Sequence, residues 1–195
     1  MRLSDLYGNN ITERDRLKDD VMFNLRCCIP CIVQSYDSEM GTIECQPAIR
    51  EKIINQNEEI EYLNIPLLTN VPVVFPSNEE YQISFPISKG DECLVFFSDL
   101  SIDNFWEKGN VQNPIEDRRH DLSDGIAIPC NLSLKKERRT SEDGLLISSK
   151  NSSILIKEGD IDFTCSNGSV KLSQILKHIH LTPTGAPTTA PVFEV

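Results

Sequence analysis

The chain lacks most of the features by which a sequence announces a membrane, an export route or a nucleotide. No apolar run approaches the roughly 20 residues that cross a bilayer as a helix. The opening stretch MRLSDLYGNNITERDRLKDD is polar and charged, without the apolar core of a signal peptide, so synthesis in a cytoplasm without Sec-type export is expected. Glycines are dispersed, with no G-x-G-x-x-G and no G-K-[ST], which leaves no cradle for phosphates. Positive charge is scarce: 19 Lys+Arg against 30 Asp+Glu give a net charge of -11, which repels a phosphate backbone and argues against a DNA- or RNA-coating role. Aromatic residues make up 7% of the chain, too few for an extended stacking platform. The cysteines number 7, an odd count that fits free thiols in a reducing compartment better than a disulfide framework. Apolar residues are also a little short. Counted with glycine in and tyrosine out they reach about 42%, against about 45–50% in soluble domains, so some segment is expected to bury too little surface alone.

What is present reads from the N-terminus as one amphipathic helix over 11–26, where Leu17, Val21 and Leu25 recur at four-residue spacing and acids cluster early. The stripe is narrow and suits docking on a neighbour. From Cys28 to about Ile128 the pattern is strand-like: CIPCIVQSYD, GTIECQPAIRE, IEYLNIPLL, VPVVFP, YQISFPI and ECLVFFSD, with a turn at Lys89-Gly90-Asp91 and a short helical stretch at Ile102–Trp106. Short strands of this density predict a small barrel or sandwich. Pro66, Pro72, Pro76 and Pro86 are expected at strand ends or edges, where a missing N–H is tolerated.

A charged connector, NLSLKKERRTSEDG, follows over 131–144. Beyond it come short alternating strands that begin at Leu145, Ile154, Ile161 and Val170, separated by turn-forming SKNSS, KEGD and SNG. Each offers two or three apolar side chains on one face. Burying such a side chain yields about 1.5–3 kcal/mol, while ordering each residue costs about 1–2 kcal/mol. The segment therefore predicts a face that is covered by copies of itself. The Thr/Pro/Gly-rich tail LTPTGAPTTAPVFEV is either disordered or a wrapped cap.

Three clusters carry possible chemistry. His178-Ile179-His180 places two imidazoles on one side if the segment is extended. Two per chain make a poor metal site, whereas six around a threefold axis suit an octahedral first-row metal. The pair taken alone reads as two exposed histidines, and LSQILK before it has helical periodicity that would carry it out of strand geometry. Cys27-Cys28-x-x-Cys31 lacks a matching second pair for zinc, and Cys45, Cys93, Cys130 and Cys165 are scattered singly, so buried free thiols are expected. His120 in RRHDLSD has Asp117, Asp121, Asp124 and Ser123 nearby, but adjacency in sequence is not triad geometry, and a charged loop accounts for the run. Glu58/Glu59 and Glu79/Glu80 fall at expected hairpin tips. No enzyme active site is expected.

The run VPVVFPSNEEYQISFPISKGDECLVFFSDLSIDNFW, followed by RRHDLSDGIAI, resembles the N-terminal domain of central spike proteins from contractile phage tails and related tailocins. The likeness covers roughly residues 28–130. It rests on Val71–Pro76, Phe85–Pro86, Gly90–Glu92, Phe97–Asp103, Trp106 and Arg118–Asp124, with Leu100 where an arginine is common. The resemblance implies an all-β chain: an oligonucleotide/oligosaccharide-binding (OB) type barrel, then an intertwined triple-stranded β-helix and a sharp tip. The expected divisions are an N-terminal helical or extended segment (1–27), the barrel (28–130), the connector (131–144), the β-helix (145–172) and the apex (173–195). The resemblance further implies a homotrimer at the baseplate tip of a virion or tailocin, in contact with hub and tail-tube proteins and transiently with the target cell envelope, without a specific nucleic acid. Many family members bind one iron through an H-x-H from each of three chains, and His178 and His180 match that motif. A monomeric barrel binding glycan or oligonucleotide is the alternative reading.

Overall fold

The structure, a computed structural model, describes residues 25–55 and 57–177 together with Asp15, Leu17, Lys18 and Val21. Those four isolated positions are helical, and the Leu25 N–H donates to the Val21 carbonyl at 3.0 Å. Leu17, Val21 and Leu25, the expected stripe, are all exposed.

The chain is mostly β and divides into two compact units, one ending at Lys136 and the other beginning at Glu137. In the first unit β1 (Cys28–Asp37), β2 (Thr42–Pro47), β5 (Leu68–Pro72), β6 (Glu92–Phe97) and β7 (Gly125–Pro129) form one antiparallel sheet in the order β5-β2-β1-β6-β7. The sheet curls until its two edges meet: Val73 bridges Ala127, and the Val74 N–H donates to the Ala127 carbonyl at 2.9 Å. Alternation places Cys31 and Val33, Ile43 and Cys45, and Cys93, Val95 and Phe97 on the inner face, all buried. Leu68 and Val71 break the two-residue period yet both face inward. Asn70 between them has φ +54°, and the register slips from Ile43↔Val71 to Cys45↔Leu68, a bulge that re-aims Val71. Gly125 opens β7 because a Cβ there would come within 2.9 Å of Val95.

Pro30 lies inside β1 without breaking the sheet. Its carbonyl accepts from the Ala48 N–H at the end of the β1–β2 ladder, where one missing donor is tolerated. Pro72 closes β5, and Pro66, Pro76 and Pro86 lie outside the strands. The separate pair β3 (Glu51–Ile54) and β4 (Ile60–Leu63) forms a two-stranded ribbon with Ile60, Tyr62 and Leu63 exposed. One expected strand is absent. YQISFPI joins no ladder beyond a single Ser77–Gln82 bridge and leaves Tyr81, Ile83 and Phe85 exposed. Its period is that of a strand, but β6 already has β1 and β7 on its two sides. The segment instead folds back on itself, with Asn78 accepting from the Glu80 and Tyr81 N–H groups and Phe85 packed edge-on to Phe75 at 5.2 Å.

The helical stretch appears as α1 (Asp103–Lys108), and the Lys89-Gly90-Asp91 turn is present with Gly90 at φ +91°. After β7 the chain is strapped to the start of β6. Glu92 Oε2 accepts from the N–H groups of Leu132 at 2.9 Å and Ser133 at 2.8 Å, and Oε1 from the Ser133 hydroxyl. The Ser133 hydroxyl foremost, then the two N–H groups, hold the Glu92 carboxyl below the usual range.

The second unit is a four-stranded antiparallel meander, β8 (Leu145–Ser148), β9 (Ser153–Lys157), β10 (Asp160–Cys165) and β11 (Gly168–Lys171), followed by α2 (Leu172–Leu176). Gly144 precedes β8 where a Cβ would collide with the Ile156 carbonyl. Asp160 ties α2 back to β10, accepting from the Ser173 hydroxyl at 2.7 Å and N–H at 3.1 Å, which lowers the Asp160 pKa. The helical period of LSQILK is thus realised directly ahead of His178 and His180.

Candidate functional site

Two arrangements stand out, one in each unit. In the first, Asp124 ends a short 3-10 turn (Leu122–Asp124) and is completely buried. Its Oδ2 accepts from Arg118 Nε at 2.7 Å, and its Oδ1 from Arg118 Nη2 at 3.0 Å and the Ile102 N–H at 2.9 Å. The same Nη2 reaches Asp103 at 2.6 Å. The fork geometry of guanidinium on carboxylate makes this a charge-assisted, two-point contact, and the two aspartates, Asp124 first, push the Arg118 pKa up. Backbone bonds lace the same loops together: Ser98 N–H to the Asp124 carbonyl at 3.0 Å and His120 N–H to the Ser98 carbonyl at 3.1 Å. The clamp therefore joins FSDLSID to RRHDLSD. These are the segments whose spacing carries the family likeness, although 15 positions separate Asp103 from Arg118 in the chain.

His120 faces Asp99. It sits at φ +47°, and its Nε2 lies 3.3 Å from Asp99, which Arg119 also contacts. Asp121 caps the 3-10 turn by accepting from the Ser123 N–H at 2.9 Å, a bond that lowers its pKa. The run is a charged loop that ends in the 3-10 turn, and its last member, Asp124, is interior. Sequence reasoning missed Arg118, Asp103 and Asp124 as a unit. The available signal was an Asp directly ahead of the apolar strand GIAI, with an Arg six residues earlier.

In the second unit, strand register assembles an apolar surface. Leu145 stands opposite Ile156, and Ile156 opposite Ile161. In the next row Ile147, Ile154, Phe163 and Val170 are successive cross-strand partners. Seven large apolar side chains thus share one face of the sheet. Leu145, Ile147, Ile154, Ile156 and Val170 are exposed, and Ile161 and Phe163 half-buried. Among the described residues of this unit none is buried. The opposite face is more polar, and there Lys157 pairs with Asp162 at 2.9 Å.

A family model, phage protein Gp138 N-terminal domain, matches residues 29–130. The chain belongs to the Gp138 N-terminal domain family. No curated protein matches it. The Gp138 span runs from β1 to the residue after β7 and so contains the whole curled sheet and its clamp, while the distal sheet lies beyond it. Membership makes this a phage protein, and an all-β scaffold fits a structural part of the virion. No helix among the described residues is long and apolar enough to cross a membrane.

The Gp138 domain also resolves the cysteines. Cys31, Cys45 and Cys93 converge from β1, β2 and β6 into its core, where they are buried; the Cys31 thiol donates to the Ile29 carbonyl at 3.7 Å and the Cys93 thiol to the Cys31 carbonyl at 3.8 Å. Contact with the other two thiols and burial push Cys45 up, and Cys31 rises to about 12, where contact with Cys45 is outweighed by contact with Cys93 and by burial, so both stay protonated. Cys27, Cys28 and Cys165 are exposed. Among the described residues no group of three or more His, Cys, Asp or Glu is placed to hold a metal. His178 and His180 lie outside the described residues.

Proposed function

We propose that this chain is the central spike of a contractile phage tail or tailocin, a non-enzymatic homotrimer that caps the tail tube and punctures the target envelope when the sheath contracts. The Gp138 domain would be the OB-type barrel seated against hub and tube, and residues 145–172 one third of an intertwined β-helix. The observation that carries this reading is the distal sheet. It has seven apolar side chains on one face and no buried residue among those described. Covering that face with two further copies would join three such sheets around one core, and a shared core with a shared hydrogen-bond network resists buckling under axial load.

His178 and His180 follow α2 in the sequence and would bring six imidazoles together from three chains, a donor set suited to an octahedral iron. Such an ion would pin the chain ends at the apex. The reading is tested first by sedimentation at micromolar concentration: a trimer is expected, and a monomer removes its physical basis. Metal analysis of the trimer should give one ion per three chains, lost in His178→Ala. A metal-free wild-type trimer would overturn the apex site alone.

A further inference from the structure

The face of the distal sheet opposite the apolar rows carries a second pattern. Ser148, Ser153, Thr164 and Ser169 are successive cross-strand partners on β8, β9, β10 and β11. Four hydroxyls therefore form one row across the sheet, about 14 Å long at ordinary strand spacing. Ser148, Thr164 and Ser169 are exposed and Ser153 half-buried. The first three of the four open into a groove of about 550 Å³ whose walls include Arg138, Arg139 and Lys150. The one carboxylate among the lining residues, Glu137, lies 3.5 Å from the Arg139 guanidinium.

Local sequence builds this end of the row. Ser149 and Ser152 close the β8–β9 turn through their hydroxyls at 2.7 Å and through the Ser149 N–H to the Ser152 carbonyl at 2.7 Å. Arg139 donates to the Ser149 carbonyl and so buttresses the turn, which sets Lys150 and Asn151 into the groove wall. In a chain of net charge -11, this is a local concentration of cations and donors. Guanidinium and ammonium groups suit phosphoryl oxygens, and serine and threonine hydroxyls both donate and accept, as a polyol partner requires.

We propose that the hydroxyl row and its cationic end form a binding strip for a polymer bearing both phosphodiesters and hydroxyls, a polyol- or sugar-phosphate. The phosphates would meet Arg138, Arg139 and Lys150, and the hydroxyls the Ser/Thr row. A bilayer surface fits less well, because Leu146 is the one apolar residue in the groove lining and no anchor stands ready to insert. The strip lies on the face away from the apolar rows, and its chemistry does not depend on how those rows are covered.

The test titrates the full-length protein with a poly(glycerol phosphate) oligomer, with inorganic phosphate, and with vesicles of phosphatidylglycerol in phosphatidylcholine. Oligomer binding that weakens with salt is expected, with a loss of about tenfold in Lys150→Glu and a smaller loss in Thr164→Val, which keeps the β-branched shape. The site is overturned if the oligomer does not bind, if inorganic phosphate or vesicles bind as tightly, or if Lys150→Glu binds as wild type does. Sedimentation of the same samples separates the two readings. A trimer that does not bind removes the strip and leaves the spike, whereas a monomer that binds removes the spike and leaves the strip.

Discussion

The two units are made of the same material and differ in what they do with it. Both are antiparallel sheets of short strands rich in Val, Ile and Leu. The Gp138 domain curls until β5 and β7 meet and so supplies its own second layer, burying ten apolar side chains in one cluster. The distal sheet runs through four strands with unbroken register, and none of its described residues is buried. Bulges account for much of the contrast. The proximal sheet has irregularities at Val33/Ser35 and at Ile43/Cys45, which sharpen twist and help a sheet close, whereas the distal ladders have none. A strand sequence thus encodes autonomy or dependence less by its hydrophobicity than by whether it can bend.

The hardest blow to this contrast is a charge in the middle of the distal face. Ile156 has Leu145 on one side and Ile161 on the other. If three copies cover that face, seven side chains at about 1.5–3 kcal/mol each contribute on the order of 10 kcal/mol per chain, and an ionised carboxylate buried without a partner is intolerable there. Ile156→Glu should convert the trimer to monomers with a proteolytically labile distal unit, while the Gp138 domain keeps its own unfolding transition. Sedimentation and limited proteolysis read both outcomes. A trimer that survives the substitution places the contact elsewhere.

Arg118→Ala strikes the other side of the comparison. The Asp103 arm of the clamp is half exposed and contributes little, so the effect rests on Asp124. That carboxylate has no exposure, and stranding it without its guanidinium should cost about 3–5 kcal/mol. Urea unfolding of the Gp138 domain should shift accordingly while the distal unit is unaffected. A loss below about 1 kcal/mol, the range of surface ion pairs, would mean that Ile102 N–H and solvent suffice for Asp124.

These two sites also mark how far the sequence could be read. The distal rows were legible because their period is local: Leu145, Ile154, Ile161 and Val170 announce a one-faced sheet before any pairing is known. The strand content of the proximal unit was legible for the same reason, and YQISFPI misled for the same reason too, since alternation says nothing about whether a neighbouring strand position is vacant. The clamp was hidden because its members come from 103, 118 and 124, and composition alone reads RRHD as part of a charged loop. The thiol cluster was hidden likewise: Cys31, Cys45 and Cys93 meet only through the register of β1 with β2 and β6.

A milder perturbation concerns the strap that ends the first unit. The Glu92 carboxyl titrates below its ordinary value, so its contribution is complete above about pH 4.3 and is lost as pH falls through the lower, folded value. Asp160, held down by Ser173, carries the same sign in the distal unit. Protection of the Leu132 and Ser133 amides, measured against their intrinsic exchange rates, should therefore fall in acid in the wild type and at neutral pH in Glu92→Ala. Unchanged protection in the variant would show that the backbone bond from Cys130 to the Glu92 carbonyl holds the strap without the side chain.

The smallest expected effect discriminates most finely, because it uses the native chain. Cys31, Cys45 and Cys93 are sealed in the core and should react with a thiol reagent only on unfolding of the Gp138 domain. Cys165 is exposed in the single chain, yet strand alternation sets it on the same face as Ile161 and Phe163, at the end of β10 opposite Gly168. Its labelling rate should fall a few-fold as protein concentration rises through the assembly range, while Cys27 and Cys28, outside that sheet, keep theirs. A Cys165 rate independent of concentration, in a sample that sedimentation shows to be trimeric, would place the shared core away from that end of β10 and confine the covered face to the rows built on Ile154 and Ile156.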